Sequence, residues 1–455
     1  MVMHVRLIRN VLMMSLQLIF VAAFADEQPA PLLKQLLSDL NVDIETAVAQ
    51  NQVVGSAVAV VEKDKTVFMK TYGVRRRGEE DLVDTDTLFQ LGSVSKPIAA
   101  TFFAAANKND LVDLNSTVLC PGGSSKNIKA SHILSHSTGF ERYGWNKKIE
   151  RGGERERLLK DLCQSKINAP GEQFDYHNLA YSLIEDLLES KTDMPFKAGL
   201  KSYLLEPAGM TRTYAGYFEL LSDTNRAWPH VALRRKGWTP SQRYSRGYHE
   251  SAVAAGGINS CVKDMANFLK LQLGFYPELL TSEDLKSFHA PVIRAPDAQA
   301  WFRRVSKAPA QTYYGYGWRI AELGGERIVF HTGWVKGFTN LVAFSPKYKV
   351  GIVVLNNSES KFSFRTGMGF MRKLLGKDGP APQRKILAKK KRGAKKAINK
   401  KATQKKKAAH KKVAQKKKAA HKKVAQKKTA QKKPGQKKGA PKKVARKKNP
   451  SDKVS

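Results

Sequence analysis

Residues 340–355 read Asn-Leu-Val-Ala-Phe-Ser-Pro-Lys-Tyr-Lys-Val-Gly-Ile-Val-Val-Leu. Stretches 340–344 and 350–355 are short apolar runs rich in strand-forming residues, and the turn residues Ser345 and Pro346 lie between them. Strands this close in sequence pair antiparallel, because a parallel pair needs a long crossover connection. Toward the N-terminus, 315–320 and 327–330 add two further strand signals. At the other end of the chain, 56–61 and 66–72 flank the charged turn 62–65 and predict a hairpin, preceded by apolar residues at helical spacing over 32–50. Residues 358–375 read as a closing helix. Between the two strand groups, 98–107, 130–135 and 179–191 read as helices among loops rich in Gly, Pro and Asn. The pattern predicts an α+β fold. An antiparallel sheet flanked by helices joins the N-terminal hairpin to the C-terminal strands, over about 30–92 and 250–378, and an all-helical part, about 93–249, is inserted between them.

Composition divides the chain again. Residues 384–455 hold 32 Lys and Arg against one acid, Asp452, and so carry 31 of the 41 formal positive charges. This stretch has no Phe, Trp or Tyr, and residues 405–415 (KKKAAHKKVAQ) recur unchanged as 416–426. With so little to bury, a lysine-rich tail over 381–455 is expected to stay disordered. A polycation of this kind binds polyanions by counterion release without reading sequence; envelope polymers, lipopolysaccharide and nucleic acid are the candidate partners. At the N-terminus, His4, Arg6 and Arg9 precede the apolar run 11–24, and Ala23-Phe24-Ala25 offers small residues for cleavage. Residues 1–25 therefore read as a signal peptide, too short to span a bilayer as a helix of roughly 20 apolar residues. A periplasmic or secreted globular domain over 26–380 is expected, with no transmembrane span after cleavage. Cys120, Cys163 and Cys261 allow at most one disulfide, and spacing alone leaves buried thiols and a disulfide both open.

Three short motifs carry chemistry. In Gly92-Ser93-Val94-Ser95-Lys96, a lysine three residues along a helix sets its amine beside a serine hydroxyl, which is a poor nucleophile until a base takes its proton. In Tyr176-His177-Asn178, the phenol can relay a proton and the asparagine amide can orient the lysine and a substrate carbonyl. In His331-Thr332-Gly333, expected at the end of the strand 327–330, glycine permits close approach, so the N–H of Trp334 and that of Ser93 can form an oxyanion hole. Each motif alone is a common accident; together and in order they are not. His132 and His136, four apart, could share a helical face, but no third ligand stands at useful spacing, so neither a metal nor another cofactor is expected.

Taken in order, Ser-x-x-Lys, Tyr-x-Asn and His-Thr-Gly resemble the class C β-lactamase and D-alanyl-D-alanine carboxypeptidase family of penicillin-recognising serine enzymes. The flanking text agrees: Phe89 to Lys96 (FQLGSVSK), Ile133 to Gly139 (ILSHSTG), Ala255 to Ser260 (AGGINS) and Asn356-Asn357. The resemblance covers about 32–375 and implies a β-lactamase/transpeptidase-like fold. It makes Ser93 the acylated nucleophile, with Lys96 and Tyr176 sharing proton transfer. Asn178 would hold substrate, and His331 with Thr332 would contact a substrate carboxylate beside Gly333. Dedicated class C lactamases usually carry Lys-Thr-Gly; a histidine, mostly neutral at pH 7, attracts a carboxylate less. The expected substrate is a small-molecule or peptide acyl donor such as a β-lactam. An esterase or D-aminopeptidase on the same fold, or a non-catalytic polyanion-binding protein, are the alternatives.

Overall fold

The computed structural model describes residues 30–118, 120, 126–233, 237–241, 243–302 and 310–377. The expected signal peptide and the lysine-rich tail lie outside the described residues.

Helix α1 (Ala30–Ala49) leads into the hairpin β1 (Gly55–Glu62) and β2 (Lys65–Gly73), as the spacing predicts. The strands β3 (Ile293–Arg294), β4 (Ala310–Tyr314), β5 (Arg319–Leu323), β6 (Glu326–Val335), β7 (Phe338–Ser345) and β8 (Val350–Asn356) follow late in the chain. They join the hairpin in one sheet, ordered β2-β1-β8-β7-β6-β5-β4-β3 with antiparallel neighbours throughout. The pairing of β1 with β8, from Ser56↔Asn356 to Glu62↔Val350, places the two ends of the fold side by side in the sheet.

Strand alternation divides the core between the two faces. Val58, Val60, Ile328, Phe330, Ile352 and Val354 pack against α1 and the closing helix (Phe362–Leu374) on one face. The α1 stripe of Leu33, Leu36, Leu40, Ile44 and Ala47 keeps helical spacing along its buried side. Ala57, Ala59, Val61, Val329, Val342 and Val353 face the other way, into a larger core shared with the helix Ser95–Lys108, the helix Val262–Gln272 and the inserted helices. This is the expected α+β plan, except that the inserted part is not all-helical: strands His230–Leu233 and Gly237–Pro240 pair antiparallel within it.

Three local readings are corrected. The stretch 315–320 is mostly a turn, with Gly317 at φ +79°, and the strand begins at Arg319; β4, just before it, went unrecognised. His331-Thr332-Gly333 lies within β6 rather than at a strand end, because β7 keeps pairing with β6 as far as Val335↔Phe338. The helix Ala130–Leu134 stops before His136, which has φ +56°, so His132 and His136 do not share a helical face. Cys120 and Cys163 form a disulfide with Cα atoms 5.6 Å apart, and Cys261 is free and buried.

Candidate active site

The nucleophile candidate sits where a turn meets a helix. Residues Gly92–Val94 form a 3-10 turn that runs straight into the helix Ser95–Lys108. Gly92 adopts φ +57°, a conformation that costs glycine little. The turn is pinned from outside. Leu91 N donates to Ile258 O at 3.0 Å, Ile258 N donates to Ser95 Oγ at 3.0 Å, and Asn340 Nδ2 donates to the carbonyls of Gln90 and Leu91 at 2.9 and 3.2 Å. Ser93 is half-buried, and Lys96, one helical turn on, is fully buried.

Lys96 Nζ lies 2.7 Å from Asn178 Oδ1, 2.7 Å from Ala255 O and 3.4 Å from Ser93 Oγ. Burial, helped by the positive charge of Arg319, holds this amine well below the usual lysine range. Asn178 opens the short helix Asn178–Tyr181, where His177 Nδ1 caps by accepting from Ala180 N at 3.0 Å. The other end of the Asn178 amide donates to Asn146 Oδ1 at 3.0 Å and to Tyr248 Oη at 3.3 Å. With both ends engaged inside the protein, Asn178 orients Lys96, and its Oδ1, which accepts only from Lys96, keeps a second lone pair for a donor. Asn146 is delivered by a loop in which Tyr143 and Trp145 both have positive φ, a strained choice for bulky residues.

Tyr176 completes the first group of residues. Its phenol is buried beside the Ser93 hydroxyl. Burial pushes it above the ordinary tyrosine value despite the opposing pull of Arg319 and of Ser93, so the group remains a phenol.

The strand β6 supplies the opposite wall. Its pairing with β5 ends at Phe330↔Arg319, so residues 331–335 present an open edge to the Ser93 turn. The approach is close enough to exclude side chains: a Cβ on Gly333 would lie 1.9 Å from Leu91 O, and one on Gly92 would lie 3.0 Å from Trp334 N. Thr332 is half-buried and Trp334 is 55% exposed. His331 is placed differently from expectation. It is fully buried, its Nδ1 donates to Thr332 O at 2.9 Å, and its Nε2 accepts from Tyr314 Oη at 2.9 Å. Burial, then the charges of Arg319 and Lys96, keep it neutral. The imidazole therefore has neither a free donor nor a charge for a substrate carboxylate.

Sequence reasoning missed Arg319 and Asp297. The Arg319 guanidinium is buried, makes 3.0 and 3.2 Å bonds to the two Asp297 oxygens, and lies 5.2 Å from the Tyr176 ring. Arg142 Nη2 joins the same carboxylate at 2.9 Å. A lone arginine in the otherwise uncharged stretch 315–320, between Trp318 and Ile320, was the available signal. His136, weighed in the sequence only as half of a metal pair that lacked a third ligand, lies with its ring 4.1 Å from that of Tyr176 and is kept neutral by burial and by the nearby Lys96 and Arg319. Among the described residues no cluster of three or more His, Cys, Asp or Glu could hold a metal.

A family model described as "Beta-lactamase" matches residues 40–374. The chain is 22% identical over 369 residues to "Penicillin-binding protein 4*" of Bacillus subtilis (strain 168), covering 76% of this chain and 78% of that protein. It is 21% identical over 337 residues to "Protein flp" of Staphylococcus aureus (strain N315), over 70% of this chain, and spans 62% of that relative's length. Among solved structures, the octameric penicillin-binding protein homologue from Pyrococcus abyssi matches with a TM-score of 0.65 at 24% identity, over 75% of this chain and 78% of that one. A penicillin-binding protein from Bacillus halodurans matches with a TM-score of 0.59 at 19% identity, over 73% of this chain and 99% of that one. Likenesses of this degree establish the β-lactamase/transpeptidase-like fold.

Proposed function

Because the chain belongs to the β-lactamase family of serine hydrolases, we propose that it is an exported acyl-transfer enzyme of the β-lactamase or D,D-peptidase type, with Ser93 as nucleophile. The observation that carries this reading is the placement of the Lys96 amine, held by burial well below the usual lysine range, 3.4 Å from Ser93 Oγ. A neutral amine has two hydrogens and one lone pair. The hydrogens serve Asn178 Oδ1 and Ala255 O, which leaves the lone pair for the Ser93 hydroxyl proton.

In the proposed reaction Ser93 Oγ attacks the substrate carbonyl while its proton passes to Lys96 Nζ. The carbonyl oxygen gains charge between the N–H groups of Ser93 and Trp334. The tetrahedral centre then collapses, the bond to the leaving group breaks, and Tyr176 Oη donates a proton to the departing atom. The Lys96 ammonium then returns its proton to the Tyr176 phenolate, so both groups end neutral. Water releases the acyl group in a second round. Export agrees with the Cys120–Cys163 disulfide, which an oxidising compartment favours.

A second reading, an esterase or D-aminopeptidase, is favoured by one observation. Neutral, doubly engaged His331 removes the fixed positive charge that would select a substrate carboxylate. Intact-mass spectrometry after incubation with benzylpenicillin, alongside Ser93→Ala, separates these readings. A persistent Ser93-dependent adduct indicates a penicillin-binding peptidase, and catalytic loss of drug a β-lactamase. Absence of both, with Ser93-dependent hydrolysis of a short acyl ester, selects the esterase. Inertness in every assay would defeat the enzyme reading and leave the polycation as the functional part. For residues 384–455 we propose polyanion binding by counterion release, favouring anionic envelope polymer; affinity that ignores salt would refute it.

A further inference from the structure

The two carbonyl acceptors that hold Lys96 trace back to one ionic cluster, in which Glu185 is buried and Arg155 and Asp186 are half-buried. Ala255 O belongs to the helical turn Val253–Gly256. The preceding amide, Ala254 N, donates at 2.8 Å to Oε1 of Glu185, a carboxylate only 4% exposed in the helix Leu183–Thr192. Glu185 Oε2 pairs with Arg155 Nη1 at 3.3 Å. The same guanidinium then ties down both segments that reach Lys96. It donates to Ser251 O at 3.2 Å, at the entrance to the turn carrying Ala255. It also donates to Ser182 Oγ and Ser182 O, both at 3.1 Å, at the end of the helix that Asn178 opens. Asp186 Oδ2 takes a further bond from Arg155 at 2.6 Å.

From this juxtaposition we infer that Glu185 and Arg155 are positioning residues for Lys96, fixing Ala255 O and Asn178 Oδ1 so that the amine lone pair meets Ser93 Oγ. The inference rests on the acyl-transfer reading above for its catalytic consequence, though not for its geometric one. A buried ion pair is a weak source of stability, since desolvation offsets most of its attraction. Its contribution here is the fixed direction of four donated bonds, three to backbone atoms or a hydroxyl that flank the acceptors and one from the backbone N–H beside Ala255. Neither side chain touches substrate in this arrangement. Small displacements of a reacting group cost large factors in rate, on the order of 100-fold for about 1 Å.

The test uses two readouts on the full chain. The first is Ser93 labelling by a fluorophosphonate across pH, with Ser93→Ala as blank. The second, independent of activity, is the Lys96 titration followed by 13C NMR of the lysine Cε, assigned with Lys96→Met. Glu185→Leu is expected to slow labelling at saturating probe by roughly 10- to 100-fold with little change in half-saturation. Its Lys96 midpoint should move toward the ordinary lysine range, because a loosened site admits water and relieves burial. Glu185→Gln keeps an acceptor oxygen for Ala254 N and should restore most of the rate. Should Glu185→Leu fail to fold, Arg155→Lys keeps a cation beside Glu185 and Asp186 but cannot span Ser182 and Ser251; it should shift both readouts in the same direction. Wild-type rate and an unmoved Lys96 midpoint in the folded variant overturn the inference. Unlabelled wild-type protein would sink the hydrolase reading instead, and the NMR midpoint would still decide the positioning role.

Discussion

Gly333→Ala probes the narrowest contact of the site. Gly333 has no left-handed backbone to protect, so alanine is tolerated by the strand itself. What alanine cannot do is fit, because its Cβ would lie 1.9 Å from Leu91 O and 3.2 Å from Val94 Cγ2. Real Cβ atoms stay beyond about 3 Å from such an oxygen, so β6 and the Ser93 turn must part by at least about 1 Å. Displacement of that size is worth on the order of 100-fold in rate, and loss of one oxyanion donor roughly 100- to 1,000-fold. Acylation of Ser93 should therefore fall by about 100- to 1,000-fold. Stability should fall less, by about 1–3 kcal/mol for overpacking, and leave a folded enzyme. Stopped-flow acylation and urea denaturation measure the two quantities on one preparation. A folded variant that acylates within about threefold of wild type would refute the placement of the β6 edge over the reacting oxygen.

Lys96→Met should reduce acylation by roughly 100- to 10,000-fold, the range for a lost general base, and should also stabilise the fold near pH 7. Lys96 titrates at 10.5 when unfolded and well below that when folded. Between those values the unfolded chain binds the extra proton, so wild-type stability rises with pH there. Melting curves should show Lys96→Met ahead at neutral pH and the gap closing toward pH 10.5. Arg319→Met removes the cation that helps depress Lys96, so the acid limb of the pH–rate profile should move to higher pH. The same change breaks a buried pair and should cost about 3–5 kcal/mol by urea unfolding, toward the lower end because Arg142 still holds Asp297. Reducing Cys120–Cys163, which closes 43 residues, should cost about 4 kcal/mol in the chain-entropy account; an unchanged melting temperature after verified reduction would contradict it.

The parts of this fold that were legible in the sequence are those whose neighbours are local. The runs 340–344 and 350–355 are buried on both faces and joined by a short turn, so hydrophobicity and turn chemistry agree. Residues 315–320 misled because Gly317 turns against Ala100 and Lys96 O, a tertiary contact absent from any local pattern. The length of β6 is likewise set by β7. In the site, Ser93, Lys96, Tyr176 and Asn178 were readable because their motifs fix residue types at short spacing. Ala255 O was not, since a backbone carbonyl has no residue identity. Arg319 and Asp297 escaped because they meet Tyr176 only after the sheet has formed.

Those late-arriving charges decide how proton transfer can be divided. Activating Ser93 requires one deprotonated neighbour, and Lys96 and Tyr176 are both in reach. A positive Arg319 beside both acts in opposite senses, favouring neutral amine at Lys96 and phenolate at Tyr176. Burial breaks this symmetry, because it disfavours whichever form is charged. At Lys96 burial and Arg319 act together; at Tyr176 they oppose, and burial is the larger. In the proposed reaction the amine is therefore the better base and the phenol the better acid, a separation of roles produced by environment. The neutral imidazoles of His136 and His331 fit the same account. Each lies beside Arg319 and Lys96, and a positive charge on either imidazole would oppose the ammonium that Lys96 becomes during the reaction. A lysine in place of His331 would meet the same burial and the same Arg319 charge that depress Lys96, and whatever charge it kept would oppose the ammonium that acylation requires.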